Sequence, residues 1–243
     1  MKNLESLLPL RKELVAVRAT VDETISKSGS RLSPRFLEKE ALEDHLRPAL
    51  VFLSGRLCGA PPAALFPLAA AVQFIFLAGV LHRKASAADA KDDTLKNLIL
   101  LGDYLYSASF RLLSDAALQH LLIPLAQVVQ AECAAVAGAA AEESLEPPVI
   151  KKEVALLIGE CCRLPGTLAD APFLGELHDF GLNLGMLYGL LRRGAPLSLA
   201  TPYLAGAQAA LARLPARPAR RYLEKLLNST ARAVLGVEAA ATR

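Results

Sequence analysis

From Leu57 to Leu81 the chain carries no charged side chain. A run of that length either crosses a bilayer or forms a helix enclosed by protein on every side. Gly59, Pro61, Pro62 and Pro67 break its first part, Gln73 sits in its middle, and no belt of Trp and Tyr flanks it. The remaining run, roughly Leu68 to Leu81, is therefore expected to be a core helix, and no transmembrane span is expected. The chain does not open with a positive segment, a short apolar run and a small-residue cleavage site, so no secretory signal is expected either. The four cysteines, Cys58, Cys133, Cys161 and Cys162, lack the spacing of a zinc site or a disulfide framework. Reduced thiols in a cytoplasmic protein are the expectation.

A helix hidden all round needs a shell of other helices, and the rest of the sequence supplies one. Ala and Leu dominate, and β-branched residues never alternate with polar ones over a useful length. Leu7, Leu10, Leu14, Val17, Val21 and Ile25 recur at three- and four-residue steps, predicting an amphipathic first helix that Gly29 ends. Further helices are predicted at about 35–58 (with a possible break at Pro48), up to His82, after a polar segment 83–93 through Leu113, and over 116–141 with a kink at Pro124. Others follow at 149–164, 169–193, 203–214 and 219–237. No segment repeats, so a solenoid is not indicated. The expected fold is all-α: residues 1–243 as a single-domain bundle of about eight to ten helices.

Composition removes other classes. With 53% hydrophobic residues and a net charge of +3, the chain is too apolar to be disordered. Its basic residues are scattered, so no nucleic-acid partner is expected. His45, His120 and His178 share no ligand spacing, and no metal site is expected in this chain.

Several segments, in consistent order, resemble the trans-isoprenyl diphosphate synthases, the polyprenyl synthetase family. "LRPALVFLSGRLCG" (Leu46–Gly59) is similar to that family's Gly-Lys-x-x-Arg-Pro helix, and "AAVQFIFLAGVLHRK" (Ala70–Lys84) to the helix leading into its first aspartate-rich motif. "LILLGDYLYSASFRLL" (Leu98–Leu113) carries Gly102-Asp103-Tyr104-Leu105 as the family writes it. "IKKEVALLIGECC" (Ile150–Cys162) resembles the Lys-Thr-Ala helix, and "FGLNLGMLYGLLRR" (Phe180–Arg193) the helix of the second aspartate-rich motif. The resemblance implies an isoprenoid-synthase-type bundle, shortened after the second motif, between Arg193 and Tyr203.

The departures are as informative. In the resembled family, paired aspartates at two facing helix ends hold Mg²⁺, which binds and neutralises the departing diphosphate. Here the first position reads Arg83-Lys84 and the second Arg192-Arg193. Nine of the 24 acids are Asp, and the only Asp-Asp pair is Asp92-Asp93; with Asp89 it lies downstream of the first site, while no acid follows Arg193 before Glu224. Where the family has Gly-Lys this chain has Glu43-Asp44, and where it has a His this chain has Phe76. Arg47 and Lys152 remain as candidate diphosphate-binding remnants. No catalytic residue is expected in this chain, and Mg²⁺ is expected only in an active partner subunit.

Four cations at two facing positions admit two readings. Either Arg83, Lys84, Arg192 and Arg193 hold a diphosphate or other anion without metal, or they face solvent or a partner's carboxylates. Salt-bridged side chains would remove the first reading. His82 is expected to be a packed or surface residue, Asp103 to cap or pair within the core, and Cys161-Cys162 to be inert. The expected role is a catalytically inactive, stabilising or regulatory subunit of a heteromeric prenyl diphosphate synthase, helping to set product chain length. The expected partner is an active synthase subunit carrying both aspartate motifs. The alternative is a stand-alone homodimer that holds a prenyl chain or anionic lipid precursor. Candidate interface residues are Leu101, Leu105, Phe110, Leu121, Leu125 and Val129, for which monomer core is the competing reading.

Overall fold

The computed structural model describes residues 9–30, 43–87, 93–138 and 144–241, and among them there is no strand. The helices are α1 (Arg11–Lys27), α2 (Glu43–Cys58), α3 (Pro62–Ala87), α4 (Asp93–Asp115), α5 (Leu122–Gly138), α6 (Pro147–Ile150), α7 (Leu156–Thr167), α8 (Leu174–Arg192), α9 (Leu197–Arg213) and α10 (Pro218–Ala241). A five-residue π-turn, Lys151–Ala155, joins α6 to α7 without a break.

Helix α3 is the centre of the bundle. Every residue from Leu68 to Ala78 is buried, and α4, α2, α1 and α5 surround it. Its apolar stretch is long enough to cross a membrane, yet 83% of it is buried inside the protein. The expected core helix is thus present. It starts earlier than predicted because Pro67 does not end it. Pro48 likewise lies inside an unbroken α2. A proline inside a helix costs about 3 kcal/mol. The apolar surface buried by these two helices offsets that cost at roughly 25 cal/mol per Å².

From α3 the packing passes through α2 to α7, from α7 to α8 and on to α9, while α10 closes over α2 and α9. The α7–α8 seam is close because Gly181, Gly185 and Gly189 form a stripe at four-residue spacing along α8. A Cβ at Gly185 would stand 2.6 Å from the Ala155 Cα, so larger side chains would push the helices apart.

Several predicted boundaries move: α3 runs on to Ala87 rather than ending at His82, and α9 starts at Leu197 rather than at 203, with Pro202 inside it. The expected helix over 116–141 begins only at Leu122, after a 3₁₀ turn at Gln119–Leu121. Ala117 takes a left-handed φ of 57°, and the Leu118 N–H reaches back to the Leu113 carbonyl at 2.8 Å, a Schellman ending built without glycine. Pro124 then falls in the first turn of α5, where no kink is needed. Asp170, at φ 47°, ends α7 in the same way, and α8 starts at Leu174 rather than at 169.

Candidate functional site

The C-terminal halves of α3 and α8 bring Arg83 and Arg193 to the same cavity, and α2 places Arg47 in its wall. The cavity measures about 140 Å³, and its lining also includes Phe76, Val80, Glu153, Tyr188 and Arg192. Of the four basic residues at the two helix ends, three therefore line it. Lys84, one step past Arg83 on α3, does not. A one-residue step turns a helical side chain by about 100°.

Neither Arg83 nor Arg193 is a solvated surface cation. Arg83 is ion-paired with Glu132 of α5, the two side chains being only 12% and 7% exposed. Gly79, one turn before Arg83, makes room for this pair: a Cβ there would overlap the Glu132 carboxylate. Burial pushes the Glu132 carboxyl above its usual range, against the pull of Arg83 and Arg47. Arg193 is ion-paired with Glu153, whose side chain is fully buried, and donates a second hydrogen bond to the Ser144 carbonyl at 2.7 Å. For Arg83 and Arg193 these intramolecular pairs replace both the anion-holding and the solvent-facing readings, while Arg192 is exposed and Lys84 half-buried. The glutamates were missed because 49 and 40 residues separate them from their arginines. No spacing rule links positions so far apart.

Within the π-turn segment the acid, and not its basic neighbour, enters the site. Glu153 is buried, while Lys152 is exposed and does not line the cavity. Lys152 is thus not a phosphate-facing residue in this structure.

Arg47 does face the cavity. It is 2% exposed, and its guanidinium lies over the Phe76 ring at 3.4 Å from the centroid. Its Nε and Nη1 have no hydrogen-bond partner. Burial lowers its pKa to about 10, which still leaves it charged at neutral pH. Two orphaned donors on a buried cation cost about 1–3 kcal/mol each. The aromatic face returns about 2 kcal/mol at best.

These residues do not fit a resident Mg²⁺. The facing positions hold guanidiniums, and the two nearby carboxylates are each committed to an arginine. Among the described residues no group of three His, Cys, Asp or Glu side chains could hold a metal ion. Asp89 and Asp92 lie outside the described residues, as do the side chains of Glu43 and Asp44. Asp93 stands exposed beside Lys96 at 3.6 Å.

A second cavity, about 430 Å³ and mainly apolar, lies between α3, α4 and α5. Gly79, His82, Leu95, Ile99, Tyr106 and Glu132 contribute to its walls. Here the Gly-Asp-Tyr-Leu step finds its role. Gly102 lets the His82 ring lie against α4, since a Cβ would overlap it, and Asp103 stands 3.2 Å from His82 Nε2. Asp103 is 60% exposed, so it pairs at the surface and not within the core. The ring of His82 also meets Tyr106 edge-on at 5.4 Å. Cys161 and Cys162 are fully buried; burial pushes the Cys161 thiol up to about 12 and that of Cys162 well above its ordinary value, which makes both poor nucleophiles.

The proposed interface residues divide by helical phase. Leu101, Leu105, Leu121 and Leu125 are buried in the chain's own core, which corrects their assignment to a dimer face. Phe110 is exposed and Val129 half-buried. Among the described side chains, the large apolar residues that α4 and α5 leave exposed are Ile99, Leu100, Phe110 and Ile123.

No protein-family model matches the sequence, and no curated protein matches it. Solved structures do. A decaprenyl diphosphate synthase from Rhodobacter capsulatus superposes with a TM-score of 0.79 at 20% identity, covering 96% of this chain and 99% of that one. A polyprenyl synthase from Roseobacter denitrificans gives 0.72 at 22% identity, covering 95% and 98%. A mint heterotetrameric geranyl pyrophosphate synthase, as a deletion mutant with ligands, gives 0.68 at 16% identity, covering 88% and 98%. At these identities the likeness establishes architecture: the chain has the all-α fold of the prenyl diphosphate synthases of known structure.

Proposed function

We propose that this chain is a non-catalytic, stabilising or regulatory subunit of a heteromeric prenyl diphosphate synthase, and that it helps set product chain length. One observation carries the reading. At both helix ends where the resembled family places metal-binding aspartates, this chain has an arginine already ion-paired with a buried glutamate of its own. A divalent cation brought there would meet guanidiniums, and a substrate diphosphate would lack the metal that turns it into a leaving group. A fold preserved around a site of inverted charge is what a supporting subunit needs, because its value lies in surface and shape.

Two further observations support the partner. The heterotetrameric mint synthase shows that this fold occurs in heteromeric assemblies. The exposed apolar residues Ile99, Leu100, Phe110 and Ile123 lie on α4 and α5, at the outer side of the bundle. Burying such residues against a second subunit supplies about 1.5–3 kcal/mol for each large side chain fully covered.

The test is co-expression with an active prenyl diphosphate synthase from the same cell. The expected outcome is a stable complex whose product length or stability differs from that of the active subunit alone. A folded homodimer that recruits no synthase contradicts the proposal.

A further inference from the structure

The net charge of +3 conceals where the charge lies. Between residues 194 and 237 six residues are basic (Arg213, Arg217, Arg220, Arg221, Lys225 and Arg232) and one, Glu224, is acidic. The whole chain has 27 basic and 24 acidic residues, so the remainder holds 21 against 23 and is slightly acidic. The positive charge is thus concentrated on α10 and the turn that leads into it.

Helix α10 sets that charge on one face. Ala219, Leu223, Leu226, Leu227 and Thr230 are buried, while Arg221, Lys225, Asn228 and Arg232 are exposed. Steps of four, three and four residues place the exposed ones in a single stripe, with exposed Arg217 at its head and Glu224 beside it. Acids do little to neutralise it. Arg217 donates to the Leu57 carbonyl at 2.7 Å and Arg220 to the Leu214 carbonyl at 3.0 Å, both uncharged acceptors. Arg213 meets Asp179 at 3.4 Å with both side chains about half exposed, where water and salt leave an ion pair weak. The placement also works against the helix itself. Arg221 and Lys225 are like charges one turn apart, and the first turn of α10 holds Arg220 and Arg221 but no acid, where the helix dipole disfavours cations. Local helix stability therefore does not account for the stripe.

Helix α9 borders it with a face of another kind. No residue from 194 to 212 is charged, although α9 exposes Leu199, Pro202, Ala205, Ala209 and Ala212. The outward face of a surface helix ordinarily carries charge. The two helices pack against each other across the short turn 214–217, so the uncharged face and the basic stripe are neighbouring surface. A layer of anionic headgroups fits both. It attracts the stripe, and the uncharged face brought beside it gives up no ion hydration. A nucleic acid would be held by the stripe alone and gain little from α9.

We infer that the outer surface of α9 and α10 is a docking face for an anionic lipid membrane, on which the chain rests peripherally and reversibly. The inference stands apart from the proposed subunit role, because it uses no residue of either cavity and none of the exposed residues of α4 and α5.

Co-sedimentation of the full chain with lipid vesicles tests it. Vesicles of phosphatidylcholine with about 30% phosphatidylglycerol should carry the chain down at low salt, and pure phosphatidylcholine vesicles should not. Salt at about 1 M should release it, because the Debye length falls to about 3 Å. Each Lys or Arg near an anionic surface is worth about fivefold in partitioning. The double variant Arg221→Gln with Lys225→Gln should therefore bind at least tenfold more weakly, with a thermal midpoint no lower than that of wild type because a like-charge pair is gone. Glu224→Gln, which removes the acid beside the stripe, should bind several-fold more tightly. Ala209→Glu, on the exposed face of α9, should bind several-fold more weakly. Four results would overturn the inference: no sedimentation with anionic vesicles, equal sedimentation with neutral ones, wild-type affinity in the double variant, or wild-type affinity in Ala209→Glu. Displacement from the vesicles by polyuridylic acid or polyglutamate at equal concentration of charge would also overturn it, by assigning the stripe to a nucleic acid or an acidic protein.

Discussion

The two sides of α3 solve the same problem in opposite ways. Toward α2 and α8 the helix presents Phe76, Val80 and Arg83 to a small cavity rich in arginine. Toward α4 and α5 it presents Gly79, His82 and Ser86 to a larger cavity that is mostly apolar. One ion pair, Arg83–Glu132, reaches from the first space to the second. An aspartate at position 83 would set two buried carboxylates against each other. Arg83 and Glu132 therefore make sense only together, and the base at this helix end is half of a pair formed by two distant segments, not a loose surface charge.

That difference can be broken at its joint. Glu132→Ala leaves Arg83 buried without its partner and should cost about 3–5 kcal/mol in urea unfolding. The double variant Arg83→Met with Glu132→Leu removes both charges and should return to within about 1–2 kcal/mol of wild type. A double variant as damaged as the single one would show that the two residues do not act as a pair.

Next in size is Gly79→Ala. A methyl group there displaces the Glu132 carboxylate, and the overpacking should cost about 1–3 kcal/mol, although alanine is the better helix former. A gain in thermal stability would mean that α3 and α5 are not held at this separation.

The pair should also leave a pH signature. Because burial raises the Glu132 carboxyl, the folded state holds its proton more tightly than the unfolded chain does. Its contribution to stability is full below the ordinary carboxyl pKa and is lost as pH rises through the raised folded value. Unfolding of wild type and Glu132→Gln across about pH 4 to 8 should thus show wild type losing ground to the variant as pH rises. The opposite slope would mean that attraction to Arg83 outweighs desolvation. The smallest effect is expected at the outer face: Leu100→Lys should change the stability of the isolated chain by no more than about 0.5 kcal/mol, while weakening capture of a synthase subunit. A large loss of stability would place Leu100 in the core.

What the sequence made legible followed from local pattern. The uncharged run of α3, the three- and four-residue steps of Leu14, Val17 and Val21, and the absence of strand alternation all reappear as buried helix faces. Leu101 and Leu105 were legible as apolar, yet only helical phase against α3 separates them from outward-facing Leu100 and Phe110. The site was legible as a set of arginines but not as a set of pairs. Glu132 and Glu153 meet their partners through tertiary packing, and the π-turn that carries Glu153 has no sequence period to betray it. Arg47 lies in the wall of the small cavity with its guanidinium over Phe76, a contact that no local pattern signals.

The central claim is that a prenyl diphosphate synthase fold has here lost independent metal-dependent catalysis. Incubating the purified chain alone with isopentenyl diphosphate, an allylic diphosphate and Mg²⁺, and measuring chain elongation, tests it most directly. The account predicts no product above the uncatalysed background, with Mg²⁺ making no difference. Turnover by the chain alone that depends on Mg²⁺ would contradict it.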